Sequence, residues 1–280
     1  MHHRIENKLG YLGFRLYSPS PALAPFIRNY WMISRAHLPE AAKGEFWHPD
    51  GGLGLVFNFA DPMQINGERI DAQAFLDGTN SRSNRMLPGR QVNALGIRFK
   101  PAGAHYFFRV PIEALQNRNY ALQDIDMPQV SRLCQQLQQA HSDSEQIGLI
   151  EDWLLHCMHV SGHGHGIPAA MQSALGHLHY SGGQHRMQAL ADELALSRRT
   201  LERQFRKHLG MPAKTYANLL RVDRARQLLK QGPKWRGADI GAITGYYDQA
   251  HFVREFQDVV GLTPMAYRRY KTDPALLSQG

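Results

Sequence analysis

Cysteine is nearly absent from this 280-residue chain: only Cys134 and Cys157 occur. Neither sits in a CxxC pair, which excludes a zinc ribbon and a dithiol redox centre. Two reduced thiols in helical segments suit a reducing compartment. No apolar run reaches the roughly 18 residues that a membrane span needs. The opening MHHRIENKLG has no apolar core of the kind a secretory signal carries. The expectation is a cytoplasmic chain with no membrane partner. Catalytic signatures are missing too. There is no glycine-rich phosphate loop, nucleophile elbow or HExxH, and no HxH followed by a carboxylate in the β-rich part. Neither cysteine stands in the dedicated motif a repair methyltransferase needs. These absences argue against an enzyme and against a resident cofactor or metal.

What is present is an ordinary globular composition, 43% apolar and 20% charged, with a formal charge of +8. The length suits two domains, each able to bury its own core. The charge is unevenly placed. Residues 1–165 hold 15 Lys+Arg against 15 Asp+Glu, and residues 166–280 hold 17 against 9, so the C-terminal part carries the whole excess. A neutral half joined to a basic half points to a polyanion partner for the second half alone.

The basic half contains a pattern written twice. In DIGAITGYYDQAHFVREFQDVVGLTPMAYRR (239–269), Asp239 is a candidate cap for a short helix carrying Ile240 and Ile243. Gly245 permits a left-handed turn, Asp248 caps a second helix, and Phe252, Phe256 and Val259 follow at helical spacing. Gly261 and Pro264 end it. A shift of 51 residues places Phe252 on Leu201, Arg254 on Arg203, Phe256 on Phe205, Gly261 on Gly210, Tyr267 on Tyr216 and Asp248 on Ser197. Helix, short turn, helix is the layout of a DNA-reading helix-turn-helix, here as a tandem pair. A helix from Pro212 to about Lys230 joins the two, with Tyr216, Leu219, Leu220 and Leu228 inward and Arg221, Arg224 and Arg226 towards solvent.

The first half reads differently. Strand-like runs at 53–59, 63–66, 72–77 and 91–99 are punctuated by Asp50-Gly51, Asp61-Pro62, Asn66-Gly67 and Pro88-Gly89. So many short strands suggest a barrel or sandwich. Short helical pieces at 101–108 and 111–116 follow, then helices at 128–140 and 144–160, the latter with Ile147, Ile150, Leu154 and Met158 in one stripe. The expected organisation is an N-terminal domain over 1–160, for which the resemblance given next implies a sensor and dimerisation role, a linker at 161–167, a DNA-binding domain over 168–271 and a tail at 272–280.

LADELALSRRTLERQFRKHLGMPAKTY and ITGYYDQAHFVREFQDVVGLTPMAYRR resemble the DNA-binding domain of the AraC/XylS family of bacterial transcription regulators, over roughly 168–271. HPDGGLGLVFNF and GIRFKPAGAHYFFRVPIEAL are similar to the sensor domains that precede it in many such regulators. The resemblance implies an α+β protein. Its N-terminal part is a cupin-like β-barrel or sandwich with trailing helices; its C-terminal part is all-α, of about seven helices. It further implies double-stranded DNA as partner, homodimerisation through the N-terminal half, activation or repression of nearby operons, and RNA polymerase as partner where the protein is an activator.

A recognition helix needs long polar side chains opposite its core anchors. In the first unit these are Arg198, Arg199, Glu202 and Arg203, with Ser197 as cap and Arg206 and Lys207 as backbone-charge residues. Glu202 either accepts from cytosine or pairs with Arg198 or Arg206. In the second unit Gln249, Ala250, His251 and Arg254 hold the exposed side, with Arg268 and Arg269 for phosphates. For a small-molecule effector, Trp31, Trp47, Phe57, Phe59 and Phe99 offer apolar walls, while His48, Asp50 and Arg98 offer polar anchors; Phe57 and Phe59 share a strand face and so read as core. Two other readings stand beside this one. One is a metal-responsive regulator using His156, His159, His163 and His165 around Cys157. The other is a cupin-type enzyme fused to a DNA-binding domain.

Overall fold

A computed structural model of the chain describes residues 4–5, 12–38, 44–125, 127, 129–162, 166–231 and 235–272. Eleven strands among these residues form two sheets. The larger follows the order β1-β2-β3-β10-β5-β8-β11. Here β1 is Arg4–Ile5, β2 Arg15–Tyr17, β3 Ile27–Arg35, β5 Gly54–Asn58, β8 Ala74–Asp77, β10 Val92–Phe99 and β11 Asn119–Ala121. The smaller runs β4-β9-β6-β7, formed by Glu45–Trp47, Asn84–Leu87, Met63–Ile65 and Glu68–Ile70. All pairings are antiparallel. The sheets do not close on one another, so of the two expected forms the sandwich is found and the barrel is not. The Asp50-Gly51 turn joins strands of different sheets rather than forming a hairpin.

The strand residues sort by the period of two that a pleat imposes. Val56, Phe75 and Ala94 point to the smaller sheet, where Met63, Ile65 and Met86 meet them. Leu55, Phe57, Leu76 and Leu95 point the other way, into a core closed by α1 (Val130–Gln139) and α2 (Asp143–Ser161). Strand β5 is therefore buried along its whole length, which explains its unbroken apolar run. Phe57 and Phe59 both belong to this helix-side core, as does Phe99. Ser142 caps α2 by accepting from Glu145 N–H at 3.2 Å, and Ile147, Ile150, Leu154 and Met158 form its buried stripe. The pieces expected at 101–108 and 111–116 are single 3₁₀ turns, Ala104–Tyr106 and Ile112–Leu115.

Seven helices follow among the described residues: α3 (Ala169–Tyr180), α4 (Met187–Glu193), α5 (Arg198–Leu209), α6 (Ala213–Lys230), α7 (Gly237–Ile243), α8 (Gln249–Val260) and α9 (Pro264–Thr272). They share one core that includes Leu201, Phe205, Tyr216, Phe252, Phe256 and Tyr267. Much of the expected linker (163–165) and tail (273–280) lies outside the described residues.

Candidate nucleic-acid interface and sensor cavity

The two helix-turn-helix units are α4–α5 and α7–α8. Ser197 Oγ accepts from Thr200 N–H at 3.1 Å, and Asp248 Oδ1 accepts from His251 N–H at 2.7 Å, so each recognition helix starts on a side-chain cap. Each ends on a left-handed glycine, Gly210 or Gly261. The repeat hides a slip. The turns align at an offset of 50, with Ala195 (φ 52°) opposite Gly245 (φ 79°). The bonds Leu196 N–H to Ala191 O and Tyr246 N–H to Gly241 O, both 2.9 Å, match at that same offset. The caps align at 51. The extra residue is Tyr247, whose side chain is 98% exposed. Asp239, expected as a cap, is instead the third residue of α7. Its carboxylate accepts from Arg236 N–H at 3.3 Å, closing the first turn from inside.

Arg198, Arg199 and Arg203 are exposed on α5; Gln249, Ala250 and Arg254 are exposed on α8. His251 is half-buried, 3.1 Å from Glu255 and edge-on to Tyr246. Glu202 turns away from the exposed face. Its Oε2 accepts from Ala213 N–H at 3.2 Å, capping α6, and neither Arg198 nor Arg206 is its partner. Arg206 pairs with Glu113 of the N-terminal domain at 2.7 Å.

Between the units, α6 spans about 27 Å at 1.5 Å per residue. Of its three arginines only Arg224 is exposed. Arg221 lies 3.1 Å from Glu255 and 4.7 Å above the Tyr246 ring. Arg226 is buried, 2.7 Å from Asp223, and donates to Tyr267 Oη at 3.3 Å. Two arginines expected in solvent therefore hold the second unit against α6. Helical periodicity places them outward on an isolated helix, but α8 and α9 cover that side.

Of the residues named for an effector, Trp31, Trp47, His48, Asp50 and Arg98 line one cavity of about 450 Å³, together with Phe14. Its polar end is a charge cluster. Asp50 accepts from Arg28 at 2.7 Å and from Arg98 in a shorter contact. Burial raises the Asp50 carboxyl, but Arg98 and Arg28 outweigh it and hold the group below its ordinary value. Asp77 is also buried and lies 3.9 Å from Arg98; there burial wins and its carboxyl is pushed up.

The same wall touches the DNA-binding domain. Phe46 packs edge-on against Tyr270 and His48 against Tyr267. Ser83 donates its N–H and its hydroxyl to Val259 O at 2.7 and 2.9 Å, next to the end of α8. His48 Nδ1 lies 2.8 Å from Ser83 Oγ. Since the hydroxyl proton is committed to Val259, Nδ1 must be the donor. Nε2 then keeps a lone pair, buried and without a hydrogen-bond partner. Burial first, and the nearby Arg226, Lys271 and Lys230 next, push the imidazole down to about 2, so it is neutral. Sequence reasoning missed Ser83 and this contact altogether, and saw Tyr267 only as a repeat of Tyr216, because nothing local marks a long-range seam.

His156 and His159 are exposed on α2, while His163 and His165 fall outside the described residues. The three-ligand grouping found among the described residues lies elsewhere, on α3, α4 and the loop between them.

Two capped reader helices bearing free arginines, on a basic helical domain, define a double helix-turn-helix DNA-binding module. The family model described as a helix-turn-helix domain matches residues 190–270, and one described as a domain of unknown function (DUF6597) matches residues 15–121. Over its C-terminal part the chain is thus similar to helix-turn-helix transcription regulators. It is 37% identical over 82 residues to the HTH-type transcriptional activator RhaS of Escherichia fergusonii, covering 29% of each chain. It is 30% identical over 130 residues to RhaS of Pectobacterium atrosepticum, covering 46% of each. The chain thus spans less than half the length of these curated relatives. Among solved structures, an AraC-type regulator from Chromobacterium violaceum is 29% identical with a TM-score of 0.35, covering 38% of this chain and 94% of its own. ToxT from Vibrio cholerae O395 is 14% identical with a TM-score of 0.44, covering 83% and 95%. No helix among the described residues is long and apolar enough to cross a membrane.

Proposed function

We propose that this protein is a sequence-specific transcription regulator, not an enzyme, that reads two successive major grooves of double-stranded DNA with α5 and α8. The carrying observation is the pair of exposed arginines, Arg203 and Arg254, at equivalent positions on two helices joined by one continuous helix. Arginine pairs bidentately with guanine, and successive grooves on one face of the duplex lie about 34 Å apart. In this reading Arg198, Arg199, Gln249 and Ala250 share the base and phosphate contacts. Glu202 serves structure, because its carboxylate is already engaged. One subunit covers an asymmetric site of about 15–20 base pairs by that geometry. Selection from genomic fragments tests this. Arg203→Ala should relax one half of the enriched motif and Arg254→Ala the other. Both substitutions relaxing the same half, or neither, would overturn it.

The sensor reading rests on the cavity. Trp31, Trp47 and Phe14 suit an apolar or aromatic body; Arg28, Arg98 and Asp50 suit a polar, hydrogen-bonding end. Activation, homodimerisation and contact with RNA polymerase belong to the same proposal, as does a place in the cytoplasm.

A further inference from the structure

One side-chain cluster is used neither by the readers nor by the cavity. His177 lies in the last turn of α3, His185 in the loop that follows, and Glu193 closes α4. His177 Nδ1 is 2.8 Å from one Glu193 oxygen, and His185 Nε2 is 3.2 Å from the other. One ligand atom from each of the three residues lies within 4.8 Å of the other two. The imidazole planes cross at 82°, so the two nitrogens approach from different directions.

An ordinary histidine–carboxylate ion pair explains part of this arrangement but not the geometry at His185. Its Nε2 is shielded from solvent and, although near the carboxylate, is not aligned to hydrogen-bond with it. A buried ring nitrogen without a hydrogen bond is costly unless something else takes it up. A tetrahedral ion with ligand bonds of about 2.1 Å spaces its ligand atoms about 3.4 Å apart. Each imidazole nitrogen already lies beside the carboxylate, at 2.8 and 3.2 Å from its two different oxygens, and one ligand atom from each residue lies within 4.8 Å of the others, so a small side-chain movement brings the three to that spacing.

Two imidazoles and one carboxylate form a donor set for zinc and its borderline neighbours, whereas magnesium and calcium prefer all-oxygen shells. Three protein ligands leave the fourth position of a tetrahedron to water or another small ligand. His177 and Glu193 are 41% and 44% exposed, so an ion reaches the site without unfolding. We propose that His177, His185 and Glu193 form a binding site for a divalent transition ion of the Zn²⁺ type, with one coordination position open to solvent. Such an ion ties α3 to α4 and so braces the first helix-turn-helix from behind. The site stands independently of which DNA sequence the readers prefer.

The test uses the full chain, stripped with a chelator and returned to chelator-free buffer. Co²⁺ is titrated with visible absorbance as readout, and Zn²⁺ in competition with a chromophoric chelator. One ion per chain with intense tetrahedral Co²⁺ bands is expected. His185→Gln and Glu193→Gln should each raise the dissociation constant by at least about tenfold and weaken the bands, while His156→Gln leaves both unchanged. Saturating Zn²⁺ should raise the Tm of the wild type by a few degrees, and not that of His185→Gln. Glu193 is exposed, so its variant keeps the test open if the histidine variant folds poorly, as circular dichroism would report. Stoichiometric uptake that survives both substitutions overturns the assignment, as does no uptake at micromolar metal; the trio is then a plain ion-pair cluster.

Discussion

Trp31 and Gly96 face each other across the β3–β10 ladder, and the indole lies where a side chain at Gly96 would be. An added Cβ would run into the ring itself. The sheet thus sets the tilt of a cavity wall by leaving one position without a side chain. Gly96→Ala is expected to push the indole off its seat, destabilise the N-terminal domain by about 1–3 kcal/mol, and change tryptophan emission. Urea unfolding followed by fluorescence reads both. An unchanged midpoint and spectrum would show that the ring rests elsewhere.

The neutral His48 gives the protein a pH dependence of definite sign. The folded chain refuses a proton that the unfolded chain accepts below about 6.5. Stability linked to His48 is complete above that value and is lost as pH falls towards 2, by about 1.4 kcal/mol for each unit. Asparagine can replace the Nδ1 donor to Ser83 without titrating. His48→Asn should therefore flatten the fall in Tm between pH 6.5 and 4.5. Parallel curves for the two proteins would remove His48 from the acid response.

Ala195 occupies a left-handed conformation that its counterpart Gly245 adopts freely. Ala195→Gly should stabilise the protein, by about 0.5–1 kcal/mol, because relief of backbone strain exceeds the added freedom of the unfolded chain. Denaturant midpoints of the two proteins measure it, and a lower midpoint for the variant would show that the turn is unstrained.

Tyr247 is the residue by which the second turn is longer than the first, and it makes no core contact to lose. Tyr247→Ala should leave stability within about 0.5 kcal/mol and weaken operator binding. Thermal melts beside gel-shift titrations separate the two effects; unchanged affinity would make the insertion a spacer only.

The double reader was legible because its determinants are local: caps, left-handed glycines and helical stripes report on three or four neighbouring residues. The bounds of α6 followed from Pro212 and the apolar spacing in the same way. Arg221 and Arg226 were misplaced, and the partners of Glu202 and Arg206 went unseen, because long side chains reach across to whatever element packs beside them, and no periodicity encodes that element. The slip from 50 to 51 was invisible for a related reason. The helices share the stronger pattern, so their offset masked that of the turns. In the N-terminal domain, alternation separated core from surface but not sheet from sheet. Trp31, Trp47, His48, Asp50 and Arg98 line one cavity, whereas Phe57, Phe59 and Phe99 serve the opposite core.

Because α5 carries Arg203 on its exposed face and Arg206 in the salt bridge to Glu113, one rigid helix answers to two surfaces. Linkage then acts in both directions. If the proposed effector in the cavity changes operator affinity by some factor, the operator must change effector affinity by the same factor. A promoter fragment added to the protein is in that sense an effector in its own right, and sensor affinities measured without DNA describe a different molecule from the one poised on a chromosome.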